Sequence, residues 1–201
     1  MASPKKRPPL RYQISEYDCV PATIGNAIAY LFERDEIPPE VVQRIYLYTL
    51  DSAGRRGTFA RGSSDESVRL LARWLEQFST DKFGIHTEFL AGREVHLGRG
   101  NRIIACLNDG GVALCNIKYD HGDWHYVLAV RADEERLYFF DPYWRRDVRR
   151  VGGSVRRIHP PGEDGANLAI DRAWLDTASN RRRFCLGSWA NRDCLLMWRR
   201  K

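Results

Sequence analysis

The sequence changes texture once, near Gly84, and that change bounds the fold. Before it, apolar residues recur at steps of three and four; after it they gather in short runs rich in β-branched and aromatic side chains. Val20, Ile24, Ala27, Ile28 and Leu31 make one helical stripe. Pro21 fits a helix only in its first turn, where a missing N–H costs no hydrogen bond, so this helix must begin close to Cys19. A second helix is expected from about Pro39 to Leu50, opened by Pro38-Pro39, with Val42, Ile45 and Tyr46 on one side. Ser63-x-x-Glu66 reads as a capping box for a third helix, from about Ser64 to Phe78, that buries Val68, Leu71, Leu75 and Phe78. The Gly- and Arg-rich stretch Asp51–Gly62 reads as an exposed loop.

Beyond Gly84, Ile103–Leu107, Val112–Lys118, Trp124–Arg131 and Arg136–Asp141 read as strands of an antiparallel meander. Gly110-Gly111 between two of them is turn chemistry rather than a phosphate loop, since the reading has no helix after it. Further on, Ile170–Ala178 reads as helical, and Phe184–Trp189 and Cys194–Trp198 as strands. Helices followed by strands imply an α+β domain, its N-terminal helices packed on the antiparallel sheet.

With 201 residues, 43% of them hydrophobic, the chain can bury one core, and residues 11–201 are expected to form a single domain. Residues 1–10, basic and Pro-rich, read as a flexible tail, and a basic C-terminal extension is expected from about 146. No apolar run reaches the length of a membrane span, and Met1–Pro9 carries charge without an apolar h-region. Five cysteines without a Cys-x-x-Cys pair form neither a zinc ribbon nor a disulfide framework, so a reduced, cytoplasmic setting is expected. A net charge of +6 favours acidic partners. Arg145-Arg146, Arg149-Arg150, Arg156-Arg157 and Arg181-Arg182-Arg183, interleaved with Tyr143, Trp144, Trp174 and Phe184, could suit nucleic acid, but a solvated face is the preferred reading.

Cys19 is singled out by where its helix must begin. A thiol at a helix N-terminus feels the partial positive charge of unpaired N–H groups, which favours the thiolate that a nucleophile needs. Six residues upstream, Gln13 is an amide donor that the loop can fold back toward the Cys19 backbone N–H; two such donors would make an oxyanion hole. Among five histidines His125 is preferred as the base, because it opens the run Trp124-His125-Tyr126-Val127-Leu128, where a polar residue among apolar ones needs a reason. If Arg131–Glu135 is the connecting loop, Val130 faces Arg136 and the ladder sets His125 directly opposite Asp141. A loop one residue shorter would turn Asp141 to the other face. In the paired arrangement Asp141 accepts the Nδ1 proton of His125, and Nε2 points at the sulfur. His121 and His125 do not make a metal pair, because residues four apart on a strand are separated by ~13 Å. His86, His96 and His159 read as surface or loop residues, and Cys106, Cys115, Cys185 and Cys194 as packing. Trp144 is expected to wall the cleft or to shield the His–Asp pair from water.

The segment Gln13-Ile14-Ser15-Glu16-Tyr17-Asp18-Cys19-Val20-Pro21-Ala22, the strand Trp124-His125-Tyr126-Val127 and the step Phe140-Asp141-Pro142 together resemble the C39-type cysteine peptidases and their C39-like relatives, over residues 11 to 145. The resemblance implies a papain-like fold, a Cys19–His125–Asp141 triad with Gln13 in the oxyanion hole, a peptide or protein substrate, and neither cofactor nor metal. Val20 follows the cysteine where the family usually has Gly. The best-known members are transporter domains that cleave double-Gly leaders; with no transporter segment here, that substrate class is not carried over. Acyl transfer on the same fold, or a catalytically silent binding module using the cleft or the Arg-rich surface, are the alternatives.

Overall fold

The structure, a computed structural model, describes residues 9–53, 62–119, 123–144 and 153–200. Three helices come first: α1 (Cys19–Leu31), α2 (Pro39–Tyr48) and α3 (Asp65–Gln77). They are followed by β1 (Ile85–Ala91), α4 (Arg102–Asn108), β2 (Val112–Lys118), β3 (Trp124–Ala132) and β4 (Arg136–Phe140). The chain ends through β5 (Val155–Arg157), β6 (Leu168–Asp171), α5 (Arg172–Leu175) and β7 (Asp193–Arg199). All seven strands pair antiparallel in one sheet of order β1-β7-β2-β3-β4-β6-β5, which makes the domain α+β. No helix among the described residues is long and apolar enough to cross a membrane.

Helices cover both faces of the sheet. On one face Ile24 of α1, Val41 of α2 and Leu71 of α3 pack with Leu114 and Leu128. On the other, Ile103 of α4 and Leu175 of α5 pack with Ala113, Val127 and Phe139. Successive strand residues point to opposite faces, so β2 and β3, buried on both, are continuous apolar runs rather than alternating ones. The α1 stripe buries Val20, Ile24, Ala27 and Ile28, and with them the polar Thr23 and Asn26.

Several elements differ from the sequence reading. The second helix stops at Tyr48, and Leu50 takes a left-handed φ of 61°. The third is capped by Ser64, whose Oγ accepts the Ser67 N–H at 3.1 Å, while Ser63 instead accepts the N–H of Leu50. Ile103–Leu107 is helical rather than extended. Asn101 caps it by accepting the Ile104 N–H at 2.8 Å, and Gly110, at φ 78°, closes it; a short apolar run fits either state, and the caps decide. Ile170–Ala178 splits between β6 and the four-residue α5. Phe184–Trp189 is not a strand: Phe184 sits at φ 55°, and a single bridge joins Cys185 to Lys118. The expected strand Cys194–Trp198 is β7, but it lies between β1 and β2. Residues 153–200 therefore supply three strands of the sheet, of which β6 and β7 are internal. Most of the Asp51–Gly62 loop, most of the basic tail, His121, Arg145-Arg146 and Arg149-Arg150 lie outside the described residues.

Gly111 joins α4 to β2 under close quarters. A Cβ there would stand 2.6 Å from Cys106 Sγ and 2.8 Å from the Met197 carbonyl oxygen, which is backbone and cannot swing away. Gly111→Ala should therefore destabilise the fold by about 1–3 kcal/mol, the usual cost of overpacking, read from the urea midpoint at unchanged slope.

Candidate active site

Cys19 is the first residue of α1, and the loop before it is tied down by Asp18. The Asp18 carboxylate accepts the N–H groups of Ile14 at 2.9 Å and Ser15 at 2.6 Å, and the Ser15 hydroxyl at 2.7 Å. It is turned back onto its own loop and makes no cap bond to α1, whose first turn also holds no acidic side chain. The positive end of a 13-residue helix is thus left facing the sulfur. Val20 is 1% exposed and packs into the core, and its backbone helps lower the pKa of the thiol.

His125 stands near the start of β3, and Asp141 directly follows β4. The β3–β4 turn is tighter than the five-residue loop expected. Asp133 N–H donates to the Arg136 carbonyl at 3.0 Å, and Asp133 Oδ1 accepts the N–H groups of Glu135 and Arg136. That tightening slides the ladder by three positions, which alone would turn Asp141 to the wrong face. A bulge between Ala129 and Arg131 returns one position, leaving Leu128 opposite Phe140. Continued one step, the register sets Asp141 across from Val127, diagonal to His125 and on the same face. His125 Nε2 lies 2.7 Å from Asp141 Oδ1, both side chains 7% exposed. The ring is thus reversed from the expected orientation: Nε2 meets the carboxylate, leaving Nδ1 for the thiol.

Electrostatics separate Cys19 from the other thiols. Burial pushes Cys106 up to about 12 and also raises Cys185 and Cys194. Burial acts on Cys19 in the same sense, but the hydrogen bond and charge of His125, with the backbones of Tyr126 and Val20, outweigh it and bring the thiol below its ordinary value. Burial would likewise lower His125; the charge and hydrogen bond of Asp141, together with Cys19, carry it up to about 10. Both shifts act in the same sense, toward the thiolate–imidazolium form of the pair.

The pair opens into a cleft of about 1300 Å³. Tyr119 and Tyr143 flank the His125 ring, with centroids at 5.5 and 6.3 Å, and both line the cleft. They do what was expected of Trp144, which lies outside the cleft lining, half exposed and edge-on to Tyr12. Tyr143 also donates its hydroxyl to Glu16 at 2.9 Å and its N–H to Asp141 Oδ1 at 2.9 Å, joining the Asp141 segment to the Cys19 loop. On another wall, the buried Asp193 accepts from the Tyr126 hydroxyl and, at 2.8 Å, from Asn116 Nδ2, and burial raises its pKa.

The Gln13 side chain is bonded within its own loop. Its Nε2 donates to the Ser15 carbonyl at 2.6 Å, and its residue lies outside the cleft lining. Its backbone N–H instead donates to the Pro142 carbonyl at 2.8 Å. Three buried polar residues escaped the sequence reading. The Thr23 hydroxyl lies 2.6 Å from the Cys19 carbonyl and 3.1 Å from that of Tyr126, its single proton shared between α1 and β3. Asn26 and Asn167 hold backbone on either side of the site. For Thr23 and Asn26 the signal was available: a polar side chain on the buried face of an apolar helix needs a partner.

No protein-family model matches this chain, and no curated protein matches it.

Cys19 should be the first of the five thiols alkylated by iodoacetamide at and below neutral pH, as read by peptide mass mapping. His125→Ala removes the counter-charge, so the Cys19 rate at neutral pH should fall about tenfold for each pH unit by which the thiol pKa recovers. Labelling of Cys19 no faster than in the denatured chain would contradict the ion pair.

Proposed function

We propose that this chain is a cysteine hydrolase of peptide bonds, with a papain-like scaffold and an active site similar to that of the C39-like peptidases. The observation that carries the reading is the sulfur at the uncapped start of α1, lining one cleft with a His125 that lowers its pKa and whose Nε2 is 2.7 Å from Asp141. Nothing else among the cysteines combines a lowered pKa with a place in the cleft.

The Cys19 thiolate attacks the scissile carbonyl carbon, and the electron pair of the C=O bond moves onto oxygen. The N–H groups opening α1 stabilise that oxyanion, and Gln13, whose Nε2 donates to the Ser15 carbonyl, joins them by turning its amide toward the cleft. As the tetrahedral adduct collapses, the C–N bond breaks and the amine leaves with the Nδ1 proton of His125. A thioester remains. Neutral His125 then takes a proton from water, whose oxygen attacks the thioester, and the carboxylic acid departs as the thiolate–imidazolium pair is restored. Asp141 keeps its proton count throughout and stabilises the imidazolium from behind.

Digestion of a peptide library with the wild type and Cys19→Ala should give cleavage products only with the wild type. The rate, as kcat/KM, should rise as the Cys19 thiol ionises, below its ordinary range, and fall near pH 10 as the imidazolium loses its proton. Full turnover by Cys19→Ala, or no turnover and no thioester with any peptide, would reject the reading. Products extended by an added amine would assign acyl transfer instead.

A further inference from the structure

Two buried asparagines perform the same operation on opposite sides of the site. Asn26, on α1 and 3% exposed, accepts the Arg11 N–H on Oδ1 at 2.8 Å and donates Nδ2 to the Arg11 carbonyl at 2.8 Å. Asn167, 8% exposed, accepts the Asp141 N–H at 2.7 Å and donates to the Asp141 carbonyl at 2.9 Å. Each side-chain amide exchanges both hydrogen bonds with one residue, as a facing residue does in an antiparallel ladder. Neither Arg11 nor Asp141 lies in a strand, so the two amides act where no ladder is available.

The two clamped segments are joined to each other. The Gln13 N–H, two residues past Arg11, donates to the carbonyl of Pro142, the residue after Asp141. A continuous series therefore runs from α1 through Asn26 to Arg11, along to Gln13, across to Pro142 and Asp141, and on to Asn167, whose own N–H donates to the Phe139 carbonyl at 2.9 Å. One end of the series is the helix that carries the nucleophile. The other is the carboxylate that holds the base. The β3–β4 ladder, which sets the face of Asp141, makes its last pairing at Phe140, so the backbone of Asp141 itself takes its hydrogen bonds from Asn167.

We propose that Asn26 and Asn167 are coupled positioning residues: together they fix the distance between the Cys19 helix and the Asp141 carboxylate, and through Asp141 the charge on His125. This rests on the reading of Cys19, His125 and Asp141 as a nucleophilic site. Neither asparagine touches substrate. Each acts through the backbone it holds, and because the links stand in series, breaking either one releases the same constraint.

The test is the pH dependence of Cys19 alkylation in the wild type, Asn26→Ala, Asn167→Ala and the double variant, with thermal melts alongside. Each single variant should move the acid limb to higher pH, slowing labelling below neutral pH by about tenfold for each pH unit the limb moves. The double variant should lose no more than the larger single loss, the non-additivity expected of one shared link. Proton NMR adds a direct signature: the His125 Nε2 proton held by Asp141 should broaden or move upfield in Asn167→Ala. Where an alanine variant does not fold, Asn26→Ser and Asn167→Ser carry the same comparison with less volume lost. Lowered melting temperatures with superimposable pH profiles and an unmoved imidazole proton would overturn the proposal and leave both residues purely structural. Additive shifts would overturn the coupling. A wild-type Cys19 that is not selectively reactive would instead defeat the nucleophilic reading itself, a result visible before any asparagine is changed.

Discussion

The placing of Cys19 in one cleft with the His125–Asp141 pair is the constraint on which the rest of the site depends. Burial opposes both partners, since it disfavours thiolate and imidazolium alike. Each charged form has support against burial: the uncapped end of α1 on the sulfur side and the Asp141 carboxylate behind the ring. At Cys106, Cys185 and Cys194 burial outweighs whatever lowers the thiol, Arg192, Arg182 and Lys118 at Cys185 included, and all three are pushed the opposite way. The difference lies in position, not in residue type.

Holding that pair requires elements far apart in sequence to meet at one depth. The Thr23 hydroxyl bridges the Cys19 and Tyr126 carbonyls and so sets α1 against β3. The bulge between Ala129 and Arg131 then keeps Asp141 on the His125 face despite the tight Asp133 turn. A strand has a side-chain period of two, so every single-residue slip reverses the face. The turn and the bulge are compensating departures, and the His125–Asp141 contact depends on both.

Much of the site was legible because its chemistry has local signatures. Pro21 locates the helix start, which locates Cys19, and a histidine opening an apolar strand demands a partner. Gln13 was the least legible: proximity in sequence suggested the sulfur, whereas its side chain satisfies the Ser15 carbonyl and its backbone the Pro142 carbonyl. Asn167 gave no signal, since nothing local reveals that its amide will face Asp141 across 26 positions. The helix α4 resembles a strand in sequence because five apolar residues between turn formers suit strand or helix equally, until the Asn101 cap is given its weight.

The sequence by itself determined the helical N-terminal third, the strands β2 to β4, and which cysteine begins a helix, because periodicity, capping and proline geometry act within a few residues. Tertiary structure decided the rest. It inserted β7 between β1 and β2, chose the ring nitrogen that meets Asp141, and set the diagonal register of His125 and Asp141. Those outcomes are set by pairing energies between distant segments, and such energies exist only once the sheet has formed.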